Sequence, residues 1–123
     1  MLSGSRTRHR RAAAALAAYG AHRSDHQRLA VRCRRGHHVA FVYDTPSGLV
    51  YWAITGPHAH GSRDFVDTPH HAAARGSEYV DLLQAEPVDD DALPAWCDCG
   101  PHSLSRAELV AAIAGERRTV QLP

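Results

Sequence analysis

Val31-Arg32-Cys33-Arg34-Arg35-Gly36-His37 and Trp96-Cys97-Asp98-Cys99-Gly100 decide how this chain is read. In the first stretch a thiol and an imidazole stand at the two ends of a tight turn, and Gly36 supplies the positive φ that such turns often need. The second repeats the logic with two thiols followed by a glycine. Two close pairs of sulfur and nitrogen donors, far apart in the chain, are the usual way a protein delivers four tetrahedral ligands to Zn2+. The spacing predicts Cys33, His37, Cys97 and Cys99 as those ligands, with His38 and His102 competing with His37 for the fourth place.

The cysteine count supports thiolate ligation. Three cysteines, two of them separated by a single residue, suit a disulfide framework poorly and a reducing cytoplasm well. Two other readings of the same residues stand beside the metal: ordinary buried thiols packed as small hydrophobes, and a Cys97/Cys99 redox pair, whose spacing differs from that of a thioredoxin-like dithiol.

Outward from the first knuckle, His38 to Tyr43 and Leu49 to Ile54 are rich in β-branched and aromatic residues. They flank Asp44-Thr45-Pro46-Ser47-Gly48, which has turn chemistry throughout, so a β-hairpin is expected. Val39, Phe41 and Tyr43 share one face of the first strand, and Val50, Trp52 and Ile54 one face of the second. Thr68 to Arg75 reads as a short helix, Glu78 to Leu83 as a strand, and Glu86 to Pro94 as an exposed connection. Ser105 with Glu108 forms a capping box that starts a helix running to Gly115, and Thr119 to Leu122 alternates as a last strand. The expected fold class is α+β, a small hairpin-based domain over residues 29–123.

Residues 1–28 read differently. Their composition is arginine, alanine, histidine and serine with little to bury, which predicts a basic arm that is disordered or a frayed helix over Arg10 to Ala18. Residues 1–35 hold nine arginines against one acid, Asp25, so the overall charge of +1 conceals a basic N-terminal part and an acidic body. Arg6, Arg8, Arg10, Arg11, Arg34 and Arg35 are the candidate contacts to nucleic-acid phosphates. All fourteen basic residues are arginine, which with the alanine runs points to a GC-rich, bacterial coding genome. The stretch Arg6 to Ala21 has the layout of a signal peptide, but its apolar part is short and almost all alanine. No apolar run approaches the ~18–20 residues of a membrane span. A soluble, cytoplasmic chain with no membrane partner is expected.

The order of a strand, a Cys-x-x-Gly-His turn, a β-hairpin and a later Cys-x-Cys-Gly turn leading into a short helix, over Val31 to about Ile113, resembles the zinc-ribbon group of small proteins. That resemblance implies a structural metal and, often, a role in binding nucleic acid or another protein. It implies no activity and no organic cofactor. The long excursion between the knuckles and the histidine at position 37 both depart from the group's usual spacing.

Catalytic alternatives are thinner. His58-Ala59-His60 with Asp64 resembles part of the metal cluster of the metallo-β-lactamase group, which gives a metal-dependent hydrolase as an alternative, and His70-His71 is a further histidine pair. The chain carries no His-x-Glu with Pro-Cys-x-x-Cys deaminase signature, no phosphate-binding glycine loop and no His-Glu-x-x-His helix. A complete Cys3His site leaves no open position for water, so its metal is structural.

Overall fold

A computed structural model of the chain describes residues 2–55, 78–84 and 91–123. Helix α1 (Leu2–Ala17) and a 3-10 turn (Gly20–His26) lead into strands β1 (Gln27–Arg32), β2 (His38–Thr45), β3 (Gly48–Ile54) and β4 (Glu78–Leu82). Then come β5 (Ala92–Cys97), β6 (Gly100–Ser105), helix α2 (Arg106–Ala114) and β7 (Thr119–Gln121). The expected α+β class is what the structure has. One mixed sheet runs in the order β4-β3-β2-β1-β7, and β5 and β6 form a separate two-stranded ribbon.

The β2–β3 hairpin forms where turn chemistry places it, and the strands run slightly further than expected. Thr45 pairs with Gly48, leaving Pro46-Ser47 as the loop. The Thr45 hydroxyl accepts from the Ser47 N–H at 3.1 Å, which closes the corner. Along β1, β2 and β3, Leu29, Val31, Ala40, Val42, Tyr51 and Ala53 are buried in the larger core, where they meet Leu93, Ala95 and Cys97 of β5, Leu104 of β6 and Leu109 of α2. Tyr51 anchors the ribbon to the sheet by donating its hydroxyl to the Pro94 carbonyl at 2.9 Å.

The opposite face is covered as well. Tyr43, Val50 and Leu82, flanked by Phe41, Trp52 and Val80, pack against Ala12 and Leu16 of α1. The face read from sequence therefore divides: Phe41, Tyr43, Val50 and Trp52 lie on the helix side, while Val39 joins the larger core. The residues of opposite parity fill that larger core. Strands buried on both faces read as nearly continuous apolar runs, so alternation alone does not distinguish the two sides.

Residues assigned little to bury do bury a stripe. Arg8, Ala12 and Leu16 recur every four residues and so share one side of α1. Ala12 and Leu16 are buried, and Arg8 reaches the carboxylate of Asp81, which is itself fully buried. Arg8 Nε donates to Asp81 Oδ1 at 2.6 Å, while Arg106 Nη2 and the Tyr79 hydroxyl donate to Oδ2 at 3.0 and 2.9 Å. Arg106 Nη1 also donates to the carbonyls of Leu82 and Leu83, so a single carboxylate ties α1, β4 and α2 together. Burial pushes the Asp81 carboxyl up, but the donors on Arg8, Arg106 and Tyr79 outweigh it and hold it below the usual carboxylate range.

The reading of Glu86 to Pro94 as an exposed connection is corrected at its C-terminal end. Strand β5 begins at Ala92, and Leu93 is fully buried. Pro94 fits because β5 pairs with β6 alone, so the missing N–H breaks no second ladder. Residues 85–90 and the helix expected over Thr68 to Arg75 lie outside the described residues.

Helix α2 starts as its capping pattern requires, with the Ser105 hydroxyl accepting from the Glu108 N–H at 3.2 Å. Asp91 adds to the cap, accepting from the Ser105 hydroxyl and from the Ala107 N–H. At the other end Arg28 donates to the carbonyls of Ile113 and Arg117, which satisfies the open C-terminus of the helix and ties it to β1. Strand β7 then pairs parallel to β1, with Val31 opposite Val120.

Asp81→Asn leaves two arginines without their shared charge and is expected to destabilise the domain by about 3 kcal/mol, read as a lower urea midpoint. Because Asp81 titrates lower in the folded state than in the unfolded one, its contribution is complete above about pH 4 and is lost as the pH falls through the folded value. The variant therefore loses less stability than the wild type on acidification through that range.

Candidate metal centre

The two knuckles are the turns of two hairpins. Cys33 to His37 joins β1 to β2, and Cys97 to Gly100 joins β5 to β6. In the first turn the Cys33 N–H donates to the His37 carbonyl at 2.9 Å and the Gly36 N–H donates to the Cys33 carbonyl at 2.8 Å. Gly36 has φ +89 and Gly100 φ +117. A Cβ at either position would meet nothing within 4 Å, so glycine is required by backbone conformation and not by space.

Each turn aims an amide at its own first sulfur. The Arg35 N–H donates to Cys33 Sγ at 3.4 Å, and the Cys99 N–H to Cys97 Sγ at 3.3 Å. An N–H aimed at sulfur favours the thiolate, which is the form a metal binds. Packing of the β5–β6 ribbon on the sheet then brings the two turns together, because Cys33 and Cys97 are both part of the larger core.

Cys33, His37, Cys97 and Cys99 each offer one ligand atom, and the four atoms lie within 4.8 Å of one another. His37 Nδ1 is 3.4 Å from Cys33 Sγ and 3.8 Å from Cys99 Sγ. A zinc tetrahedron with bonds of about 2.3 Å to sulfur and about 2.0–2.1 Å to nitrogen has edges of about 3.8 Å between sulfurs and about 3.6 Å between sulfur and nitrogen. The two sulfur–nitrogen separations lie either side of that edge and all four atoms are within 4.8 Å of one another, so the donor set is compatible with a metal ion such as zinc. Cys33 and Cys97 are buried, His37 is half-buried and Cys99 is exposed.

The electrostatics of the two buried thiols differ. Burial pushes Cys33 up, but the backbone N–H groups of Arg35 and His37 and the thiols of Cys97 and Cys99 outweigh it and bring it down to about 7. Cys97 is pushed up to about 11, first by burial, with the neighbouring Cys33 and Cys99 adding to the effect against the Cys99 N–H.

The competing histidines are not among the four clustered donors, although His102 borders them. His38 is exposed, accepts from Arg32 Nε at 3.2 Å and lies against Phe41, outside the cluster. His102 sits on β6 with its Nε2 3.0 Å from Cys97 Sγ, within hydrogen-bond reach of that sulfur and outside the four-atom group. Pairing explains its position: Ala95, two residues before Cys97, is opposite His102. The hydrogen-bonding role of a histidine five residues past Cys97 becomes visible only once β5 and β6 are known to form a hairpin.

Of the arginines read as phosphate contacts, Arg6, Arg10, Arg11, Arg34 and Arg35 are exposed, while Arg8 is engaged by Asp81. His58, His60, Asp64, His70 and His71 lie outside the described residues. No described helix is long and apolar enough to cross a membrane.

Fold and cluster together define a small α+β domain with a candidate Cys3His metal centre. No protein-family model matches the chain, and no curated protein or solved structure matches it.

Metal binding requires deprotonated thiols, so loading releases protons and the apparent affinity falls as the pH drops. With Cys33 near 7 and Cys97 near 11 in the metal-free chain, Cys97 is expected to release more of its proton than Cys33 on loading at neutral pH. Calorimetric titration with Zn2+ in buffers of different ionisation enthalpy measures that release directly.

Proposed function

We propose that this chain is a non-enzymatic, zinc-ribbon-like interaction domain in which one structural Zn2+ joins the β1–β2 turn to the β5–β6 turn. The observation that carries the reading is the convergence of four ligand atoms, in two pairs, from two hairpin turns, to within 4.8 Å of one another, with two sulfur–nitrogen separations of 3.4 and 3.8 Å close to the edge of a zinc tetrahedron. Cys33, His37, Cys97 and Cys99 would hold the ion. Bound there it supplies a cross-link and a neutralising charge for the thiolates. Four protein ligands fill a tetrahedral site, which leaves no position for a reacting water and assigns the metal to structure.

A structural role also accounts for the burial. Cys33 and Cys97 belong to the larger core, with 1% and 0% of their surface exposed. Two thiolates there without a cation would pay a desolvation cost of several kcal/mol. Structural zinc in small peptides binds with about 10–16 kcal/mol, comparable to or larger than the whole stability of a small domain. Removal of the metal should therefore loosen the ribbon from the sheet.

Elemental analysis of the purified chain is expected to give one zinc per molecule. A Cys97→Ser, Cys99→Ser variant is expected to give none and to lose the cooperative unfolding transition. Zinc-free wild type with an unchanged transition would remove the reading.

A further inference from the structure

We infer that the sheet face beside α1 is a binding platform for single-stranded nucleic acid, formed by a row of half-exposed rings interleaved with guanidinium groups. The inference rests on the reading of this chain as an interaction domain and names the partner. Its rings lie outside the candidate ligand set, and the row ends at Arg32 and His38, the chain neighbours of Cys33 and His37.

The row is defined by contacts. Phe41 on β2 and Trp52 on β3 are cross-strand partners with ring centroids 6.1 Å apart, and both are only half-buried. The exposed ring of His38 lies 5.2 Å from Phe41. Arg23, from the 3-10 turn, spreads its guanidinium over Trp52 at 5.1 Å and over Tyr43 at 5.7 Å. Arg32 donates to His38 at the other end. Helix α1 lies chiefly over β4 and does not bury Phe41 or Trp52.

This arrangement has the chemistry of single-strand recognition. Every base has a π-face, so half-exposed aromatic rings accept stacked bases with little regard to sequence, while guanidinium groups neutralise phosphates and stack on the same rings. Arg23 and Arg32 are the guanidinium groups in contact with the row, and Arg10, Arg11, Arg34 and Arg35 are exposed elsewhere on α1 and in the Cys33–His37 turn. Among the described residues Glu78 brings a carboxylate to the row, accepting from Trp52 Nε1 at 2.6 Å. A duplex keeps its bases stacked inside and offers this row only phosphates, so the platform favours single strands.

The test uses the full, zinc-loaded chain and a labelled oligothymidylate of about 12 nucleotides. Fluorescence anisotropy at about 50 mM salt should show saturable binding that weakens steeply towards about 200 mM, with little binding of a duplex of the same length. Phe41→Ala and Arg23→Gln should each weaken binding about tenfold, the low end of what one lost base stack costs. Glu78→Gln keeps an acceptor for Trp52 but removes the negative charge, and should tighten binding. Should Phe41→Ala or Arg23→Gln fold poorly, Glu78→Gln and the exposed Arg32→Gln carry the test, with tighter and weaker binding expected in turn.

Absence of binding by zinc-loaded protein overturns the inference and leaves the metal reading intact. So does equal binding of duplex, or a loss confined to Arg6, Arg10 and Arg11 variants with Phe41→Ala, Arg23→Gln, Glu78→Gln and Arg32→Gln all unchanged. Binding by a chain that is purified without zinc and keeps its cooperative unfolding transition overturns the metal reading instead.

Discussion

Four donor atoms from two distant turns converge only if two hairpins are placed against each other to within a fraction of a bond length. Most of the described structure serves that requirement. Gly36 and Gly100 bend the turns with positive φ, backbone amides aim at Cys33 and Cys97, and the β5–β6 ribbon is pressed onto the sheet by Leu93, Ala95 and Leu104. The Tyr51 hydroxyl on the Pro94 carbonyl fixes the ribbon along its length. A slip of one residue in β5 would turn Cys97 to the other face and take the second pair away from the first. In the proposed reading the ion responds to this convergence with a bond that no side-chain packing supplies.

A second tie lies on β4, the edge strand of the sheet. Asp81 is a carboxylate with no exposed surface, and its charge is met by Arg8 from α1 and Arg106 from α2. The neighbouring Arg106 Nε is buried and has no hydrogen-bond partner among the described residues. The two ties divide the labour: in the proposed reading a metal at the Cys3His cluster would join the ribbon turn to the sheet, and Asp81 joins both helices to β4. Helix α2 belongs to both arrangements, since Leu109 lies in the larger core while Arg106 reaches Asp81.

What the sequence revealed follows the range of the interactions involved. The knuckles, the β2–β3 turn and the Ser105 cap are written in residues one to five apart, and each was legible from spacing and side-chain chemistry. The clustering of Cys33 and His37 with Cys97 and Cys99 was legible as two pairs, while their exact approach depends on ribbon packing that no local pattern carries. The position of α1 was illegible for a physical reason: its buried stripe is Arg8, Ala12 and Leu16, and an arginine there makes sense only beside an Asp81 that sits seventy-three residues away. Leu93 and Pro94 were hidden by the aspartates before them, whose turn chemistry outweighed one apolar residue. His102 was noticed as a competing ligand, yet its hydrogen bond to Cys97 required the hairpin register.

Zinc K-edge X-ray absorption on the purified chain tests the central claim most directly. The account predicts three sulfur scatterers at about 2.3 Å and one nitrogen at about 2.0–2.1 Å, with the nitrogen shell lost in a His37→Ala variant and retained in His102→Ala. A spectrum of nitrogen and oxygen scatterers alone, or a nitrogen shell that disappears with His102 and not with His37, would contradict it.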